Sequence, residues 1–177
     1  MAEIHIRRAL VEDAPDIHNL IDASIRGLGG RYYDSQQVES SLKHLFGVDS
    51  TMIADGTYVV ATVKGKVVGS GGWSNRRTPF GGDQATSVRN AALRDPAKDP
   101  AIIRAMYVHP AWARMKIGQM IITTCEYAAR NAGFTEMELV ATLSGVDFYR
   151  KQGYSWQEKV DIELPDGTVI PCYRMTK

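Results

Sequence analysis

The chain has 177 residues, 44% of them hydrophobic and 23% charged, with a formal net charge of +1. A chain this long buries roughly 70% of its unfolded surface without disulfide staples. The near-neutral balance leaves no broad basic surface for nucleic acid, and no apolar run reaches membrane-spanning length. Cys125 and Cys172 stand too far apart for a metal knuckle or a redox pair, and His5, His18, His44 and His109 lack ligand spacing. The opening residues Met1 to Arg8 lack the apolar core of a signal peptide. These features predict a single domain over residues 1–177, in a reducing cytoplasm, with no metal, nucleic acid or membrane partner.

Residues 3–9 read as a first strand. Asp13 then caps a helix with Pro15 in its first turn, and Ile17, Leu20, Ile21, Ile25 and Leu28 form one stripe before Gly27, Gly29 and Gly30 end it. A second helix starts near Ser35, turns Val38, Leu42, Leu45 and Phe46 inward, and stops at Gly47. Residues 57–63 and 67–73 alternate as strands around the turn Lys64-Gly65-Lys66, a hairpin. The segment from Asn75 to about Pro100 has no sustained period and several prolines and glycines, with a short helix expected around 84–94. A strand over 101–108 follows. Ile117, Met120, Ile121, Cys125, Ala128 and Ala132 then recur at helical spacing up to Gly133. Phe134 to Ala141 is a strand, 144–152 a short helix, and strands near 154–163 and 168–176 close the chain around Pro165-Asp166-Gly167.

Chemistry concentrates where the strand ending Val108-His109-Pro110 delivers the chain to the helix opening at Ile117-Gly118. Such a junction leaves backbone N–H groups unpaired and pointing outward, a cradle for an anion. A pyrophosphate would accept hydrogen bonds from the amides of roughly Ala113 to Gly118, with Arg114 and Lys116 adding positive charge. An ordinary strand-to-helix junction with two solvated cations is the competing reading. Some thirty positions on, Phe148-Tyr149-Arg150-Lys151-Gln152-Gly153-Tyr154 ends a short helix. Phe148 and Tyr154 read as core aromatics; Tyr149 is open between that role and a phenol that protonates a departing thiolate. Gly69-Ser70-Gly71-Gly72 opens no helix, which argues against a nucleotide loop, and no serine sits in a Gly-x-Ser-x-Gly turn.

Val108-His109-Pro110, the loop, and Ile117-Gly118 together resemble the coenzyme A-binding signature of the GNAT (N-acetyltransferase) superfamily. The Phe148–Tyr154 segment is similar to the family's later tyrosine motif, and Lys66-Val67-Val68-Gly69 to its central hairpin. The resemblance implies an α/β (α+β) fold: a central mixed, mostly antiparallel sheet of about seven strands flanked by about four helices. It implies acetyl-coenzyme A as cosubstrate, with the amides near Met106, Tyr107 and Val108 along the pantetheine arm and polarising the thioester carbonyl. The loop residues Ala113, Arg114, Met115, Lys116, Ile117, Gly118 and Gln119 would hold the pyrophosphate, and Tyr149 would take the general-acid position. A homodimer is a further expectation from the family.

The loop departs from the family pattern, with Ala113 where Arg or Gln is usual and Arg114 and Lys116 where glycines are common. Lys116 is accommodated if its dihedrals are helical, since only φ > 0 would demand glycine. Glu138, Tyr107 and His109 are weak candidates for the base, Glu138 reading equally well as a solvated strand face. Tyr32, Tyr33, Trp73, Arg76, Arg77 and Phe80 are candidate acceptor walls, and the adjacent arginines would favour an acidic acceptor. The function expected is acetyl transfer to a primary amine of a small molecule or peptide by direct attack. A second reading, drawn from Ala113, Arg114 and Lys116, is a module of the same fold that binds coenzyme A weakly or not at all and serves as a sensor or partner-binding unit.

Overall fold

The computed structural model describes residues 3–177, and of the predicted span 1–177 only Met1 and Ala2 lie outside the described residues. After β1 (His5–Arg8), the apolar stripe of Ile17, Leu20, Ile21 and Ile25 buries one side of α1 (Ala14–Gly27). Asp13 does not cap that helix as expected. Its carboxylate accepts instead from Arg7 at 2.7 and 2.8 Å and from the Leu10 amide at 2.7 Å, a stronger charge-assisted set. In α2 (Ser35–His44) the cap is reciprocal: Asp34 accepts from the Gln37 amide at 2.7 Å and its own amide donates to Gln37 Oε1 at 3.0 Å. A further helix, α3 (Ser50–Ala54), comes shortly after, capped by Asp49 through the Met52 amide at 2.9 Å. Its five residues are too few to show a period, and the sequence reading missed it.

The hairpin of β2 (Tyr58–Val63) and β3 (Lys66–Ser74) turns through Lys64 and Gly65, both at positive φ. Within 75–100 the expected helix shrinks to one 3₁₀ turn, Thr86–Val88. The segment is held by other means, an isolated bridge from Arg76 to Leu93 and side-chain bonds from its arginines. The chain then runs through β4 (Ala101–Val108), α4 (Ile117–Asn131), β5 (Met137–Thr142), α5 (Val146–Lys151), β6 (Ser155–Glu163) and β7 (Val169–Thr176). These strands form one mixed seven-stranded sheet in the order β1-β2-β3-β4-β5-β7-β6, antiparallel except between β4 and β5. Five α-helices flank it, one more than expected.

Each face of the sheet carries a core. On one, Ile117, Ile121 and Cys125 of α4 pack over β3, which presents Gly69 and Gly71 to them. A Cβ at Gly69 would stand 2.6 Å from Ile117 Cγ2, so glycine is what lets the helix sit this close. On the other face Ile17, Ile21, Leu45, Met52 and Tyr58 pack together beneath α1 and α2.

Two irregularities in β4 shape the region beside it. Its register with β3 passes from Gly72↔Arg104 to Ser70↔Tyr107, so Ala105 and Met106 face Gly71 alone in a bulge, with Ala105 at φ 55. Beyond the bulge the faces are exchanged. Ile103, Met106 and Val108 turn toward α4, whereas Ala105 and Tyr107 join the core under α1 and α2. In addition, β4 pairs with β5 only at Ala101↔Met137 and Ile102↔Glu138. From Ile103 onward the two parallel strands part, and β5 stays with β7.

Ile121 is fully buried between α4 and β3. Ile121→Ala should cost about 2–5 kcal/mol of unfolding free energy in urea titrations at unchanged slope. A loss below about 1 kcal/mol would mean α4 is not seated on the glycines of β3.

Candidate active site

The parted strands leave the β5-facing edge of residues 103–108 without a partner strand. Backbone donors on an unpaired edge must find other acceptors, and an extended ligand supplies them. At the end of this edge His109 caps the turn Pro110–Trp112, its Nδ1 accepting from the Ala111 amide at 3.2 Å. Ala113 spends its own N–H on the Pro110 carbonyl at 3.2 Å, so it is not one of the free donors that the sequence reading assigned to it. The amides of Arg114 to Gln119 meet no backbone or side-chain acceptor among the described residues, and Met120 begins the helical ladder by donating to Lys116 at 3.0 Å.

Lys116 does not meet the condition of helical dihedrals that would accommodate it without strain: its φ is 64°, and that of Arg114 is 65°. Both positions are left-handed, which is why glycine is usual there and why a lysine and an arginine carry strain. The alternation gives something in return. A left-handed Lys116 followed by a right-handed Ile117 turns their successive N–H groups into one concavity, a nest for an anion at the N-terminus of a fifteen-residue helix. Arg114 and Lys116 are exposed and form no ion pair among the described residues. Gly118 serves packing as well, since a Cβ there would lie 3.1 Å from Phe148 Cζ on α5.

Phe148, Tyr149 and Tyr154 stack edge to face, with ring centroids 5.2 and 5.9 Å apart, against the α4 side of the sheet. Tyr154 is core, its hydroxyl donating to Glu126 at 2.8 Å. Tyr149 is only half-buried, lies close over Gly145, and its hydroxyl has no protein partner among the described residues. Burial first, then the nearby Cys125, pushes its phenol above the ordinary tyrosine value. Tyr107, beyond the bulge, meets Phe46 edge-on at 6.4 Å. Burial and the neighbouring Tyr58 and Tyr149 phenols likewise raise it.

Residues 54–155 match the acetyltransferase (GNAT) domain family, which is more than half of the chain. The protein belongs to the GNAT acetyltransferases. Among solved structures, this GNAT chain is similar to a GCN5-related N-acetyltransferase from Rhodopseudomonas palustris, at 23% identity and a TM-score of 0.73, covering 100% of this chain and 96% of that one. It is also similar to the PaiA N-acetyltransferase from Thermoplasma acidophilum in complex with coenzyme A, at 14% identity and a TM-score of 0.67, over 99% and 98% of the two chains. A ribosomal-protein-alanine N-acetyltransferase from Brucella melitensis gives 18% and 0.64 over 98% of each. At such identities these likenesses speak to the fold. No curated protein matches it.

The expected acceptor walls of this acetyltransferase do not converge. Trp73 lies in the core beside Phe134, at a centroid distance of 6.0 Å, because β3 turns it toward α4. Arg76 is held by Asp55 at 2.6 and 2.8 Å and by the Ala91 carbonyl at 2.9 Å, and Arg77 pairs with Asp99 at 3.2 Å. The Arg76 guanidinium is thus fully engaged, whereas Arg77 stays exposed with a single surface partner. Phe80 packs against the α1–α2 core, and of the set Tyr32 and Arg77 are exposed. Its neighbour Tyr33 is structural, its hydroxyl donating to the Pro171 carbonyl at 2.7 Å and accepting from the Leu143 amide at 3.0 Å. Glu138 sits where β4 and β5 part and is engaged by Arg94 at 2.6 Å and Arg174 at 3.6 Å, an ion-pair group rather than a solvated face. Among the described residues there is no cluster suited to a metal ion, and no helix is long and apolar enough to cross a membrane.

The sequence reading passed over a buried group beside the bulge. Asp49 accepts from Arg104 Nη2 at 2.6 Å, from Arg89 Nη1 at 3.0 Å and from the Met52 amide. Burial alone would push the Asp49 carboxyl up, but these donors outweigh it and hold it below the usual carboxylate range. The one signal available was a lone arginine inside the apolar run Ala101–Val108.

Replacing Lys116 or Arg114 by glycine removes left-handed strain and should stabilise the ligand-free protein by about 1 kcal/mol each, read as a rise in thermal midpoint. A drop in midpoint would show that the free loop does not hold these dihedrals.

Proposed function

We propose that the protein transfers an acetyl group from acetyl-coenzyme A to a primary amine of a small molecule or peptide, by direct attack within a ternary complex. The observation that carries this reading is the continuity of free donors, from the unpaired edge of β4 to the amides of Arg114–Gln119. An extended arm ending in a diphosphate matches that arrangement, with Arg114 and Lys116 adding charge at its phosphate end. Ala113 contributes a wall and no donor. The acyl donor supplies a thioester whose carbonyl carbon is open to attack.

The chain's own residues then have separate tasks. Of the amides foreseen here, that of Tyr107 lies on the same edge as the His109 amide, which donates to Val68 of β3, so the amides of Met106 or Val108 donate to the carbonyl oxygen as negative charge develops there. Tyr149 donates its phenolic proton to the departing sulfur as the C–N bond forms and the C–S bond breaks, and the proton released from nitrogen passes through water to restore the phenol. A covalent acyl-cysteine route is disfavoured, because burial pushes both the Cys125 and the Cys172 thiols up to about 12. On this reading the acceptor approaches from the α1–α2 face, where a groove of about 220 Å³ between the two helices is lined in part by Phe46, whose ring meets Tyr107 edge-on.

Thermal-shift titration tests donor binding: coenzyme A at 100 times its dissociation constant should stabilise the protein by about 2.7 kcal/mol. No shift with either coenzyme A or acetyl-coenzyme A would support instead the non-catalytic sensor or partner-binding module. Thiol release with a panel of amines tests turnover. In that assay Tyr149→Phe should lower kcat about 100-fold with coenzyme A affinity unchanged. Because Tyr149 titrates above its ordinary range, the wild-type kcat should show no falling limb from this residue below about pH 10. Equal kcat in the two proteins across pH would remove Tyr149 from the reaction.

A further inference from the structure

Arg104 is the one charged residue of β4, and its side chain is 5% exposed. Its Nη2 donates to Asp49 Oδ2 and to the Gly81 carbonyl, each at 2.6 Å, while its Nε is buried with no partner. Such an arrangement is a poor device for stability alone. A buried ion pair roughly breaks even against well-packed apolar side chains, and an orphaned donor adds a further cost. Its value lies in direction, because the pair ties β4 to the segment before α3 and to the loop at Gly81.

We propose that Arg104, clamped by Asp49, is a positioning residue for acyl transfer: it holds the β4 bulge that determines which amides face the gap to β5. The proposal rests on the acetyl-donor reading above. Residues three apart in a regular strand point to opposite faces. Arg104 and Tyr107 nonetheless share the α1–α2 side, and Ile103 and Met106 share the α4 side. Both coincidences need one extra residue between them, and the strand supplies it at Ala105 with φ 55. Asp49 fixes one end of this irregular stretch; Met106 and Val108, packed toward α4, fix the other. Were Arg104 released, the strand could regularise by sliding one residue. Successive N–H groups of a strand alternate between its two edges, so that slip would exchange the amides facing β3 with those facing the gap. The thioester carbonyl would then lose its donor although every side chain that touches the ligand remained.

Calorimetric titration of wild type, Arg104→Met and Arg104→Lys with coenzyme A and with acetyl-coenzyme A separates this role from general destabilisation. Wild type should prefer the acetylated form, whose carbonyl the bulge amides read. Arg104→Met should bind coenzyme A within about threefold of wild type, lose the preference for acetyl-coenzyme A, and lower kcat about 100-fold. Arg104→Lys, which keeps one charged bond to Asp49, should recover part of both; it also serves as the test if Arg104→Met does not fold. Wild-type kcat and donor preference in either folded variant would overturn the proposal. Wild type that binds both donors without preference would overturn it too, leaving the acetyl-donor reading standing, whereas binding of neither would remove both.

Discussion

After two residue pairs β4 and β5 stop being a sheet, and the rest of the site depends on that separation. Parallel strands side by side satisfy each other's backbone groups, so a pair that diverges leaves a row of donors and acceptors with no internal partner. The molecule tolerates the gap because both strands stay anchored on their other edges, β4 on β3 and β5 on β7. At the narrow end Glu138 is gripped by Arg94 and Arg174, which pins the point of divergence. At the wide end α4 and α5 meet through Gly118 and Phe148, which places the Tyr149 ring beside the opening.

The loop at the wide end shows a trade between affinity and stability that glycine usually avoids. Two left-handed residues with full side chains cost the free protein strain, yet each brings a cation to a helix N-terminus already rich in free N–H groups. Backbone donors do not depend on the side chain, so the cradle keeps its form with Arg114 and Lys116 in place of glycines. Strain of this kind persists where the surroundings over-determine it. Here the Pro110–Trp112 turn holds one side and the first helical bond from Met120 holds the other.

How much of this was readable from sequence tracks how local each feature is. The strands, α1, α2, α4 and α5, the turn at Lys64-Gly65 and the junction after Val108 depend on periodicity and punctuation within a few residues, and they stand within a few positions of expectation. The helix expected around 84–94 failed because only Ala85 and Val88 of that stretch reach the core, too little apolar face for a helix; its order comes from Arg89, which bonds the distant Asp49. Asp55 likewise engages Arg76, a partner twenty-one positions away that local pattern does not reveal. Trp73 looked like a pocket wall only because strand alternation alone does not say which face lies under α4. The left-handed Lys116 was hidden by an identity that argued against it. The bulge had left a trace, a slip in alternation between Ile103 and Met106 around a lone arginine, but that trace acquires meaning only when Asp49, fifty-five positions away, is seen to meet it.

The two faces of the sheet therefore divide the chemistry between them. The α4–α5 side, with the open edge of β4, is built from consecutive elements over 101–151 and presents main-chain donors. Main-chain donors recognise what every donor molecule of one class shares. The opposite side is assembled from α1, α2 and the irregular 75–100 segment, held by long-range side-chain pairs, and Tyr107 is its foremost contact with the gap. On the function proposed above, changes on the first face act on turnover with any acceptor, whereas changes around Phe46 and the α1–α2 groove alter which amine is accepted. Arg104 joins the two, since its guanidinium is fastened in the second face while its backbone pairs with Gly72 just before the bulge.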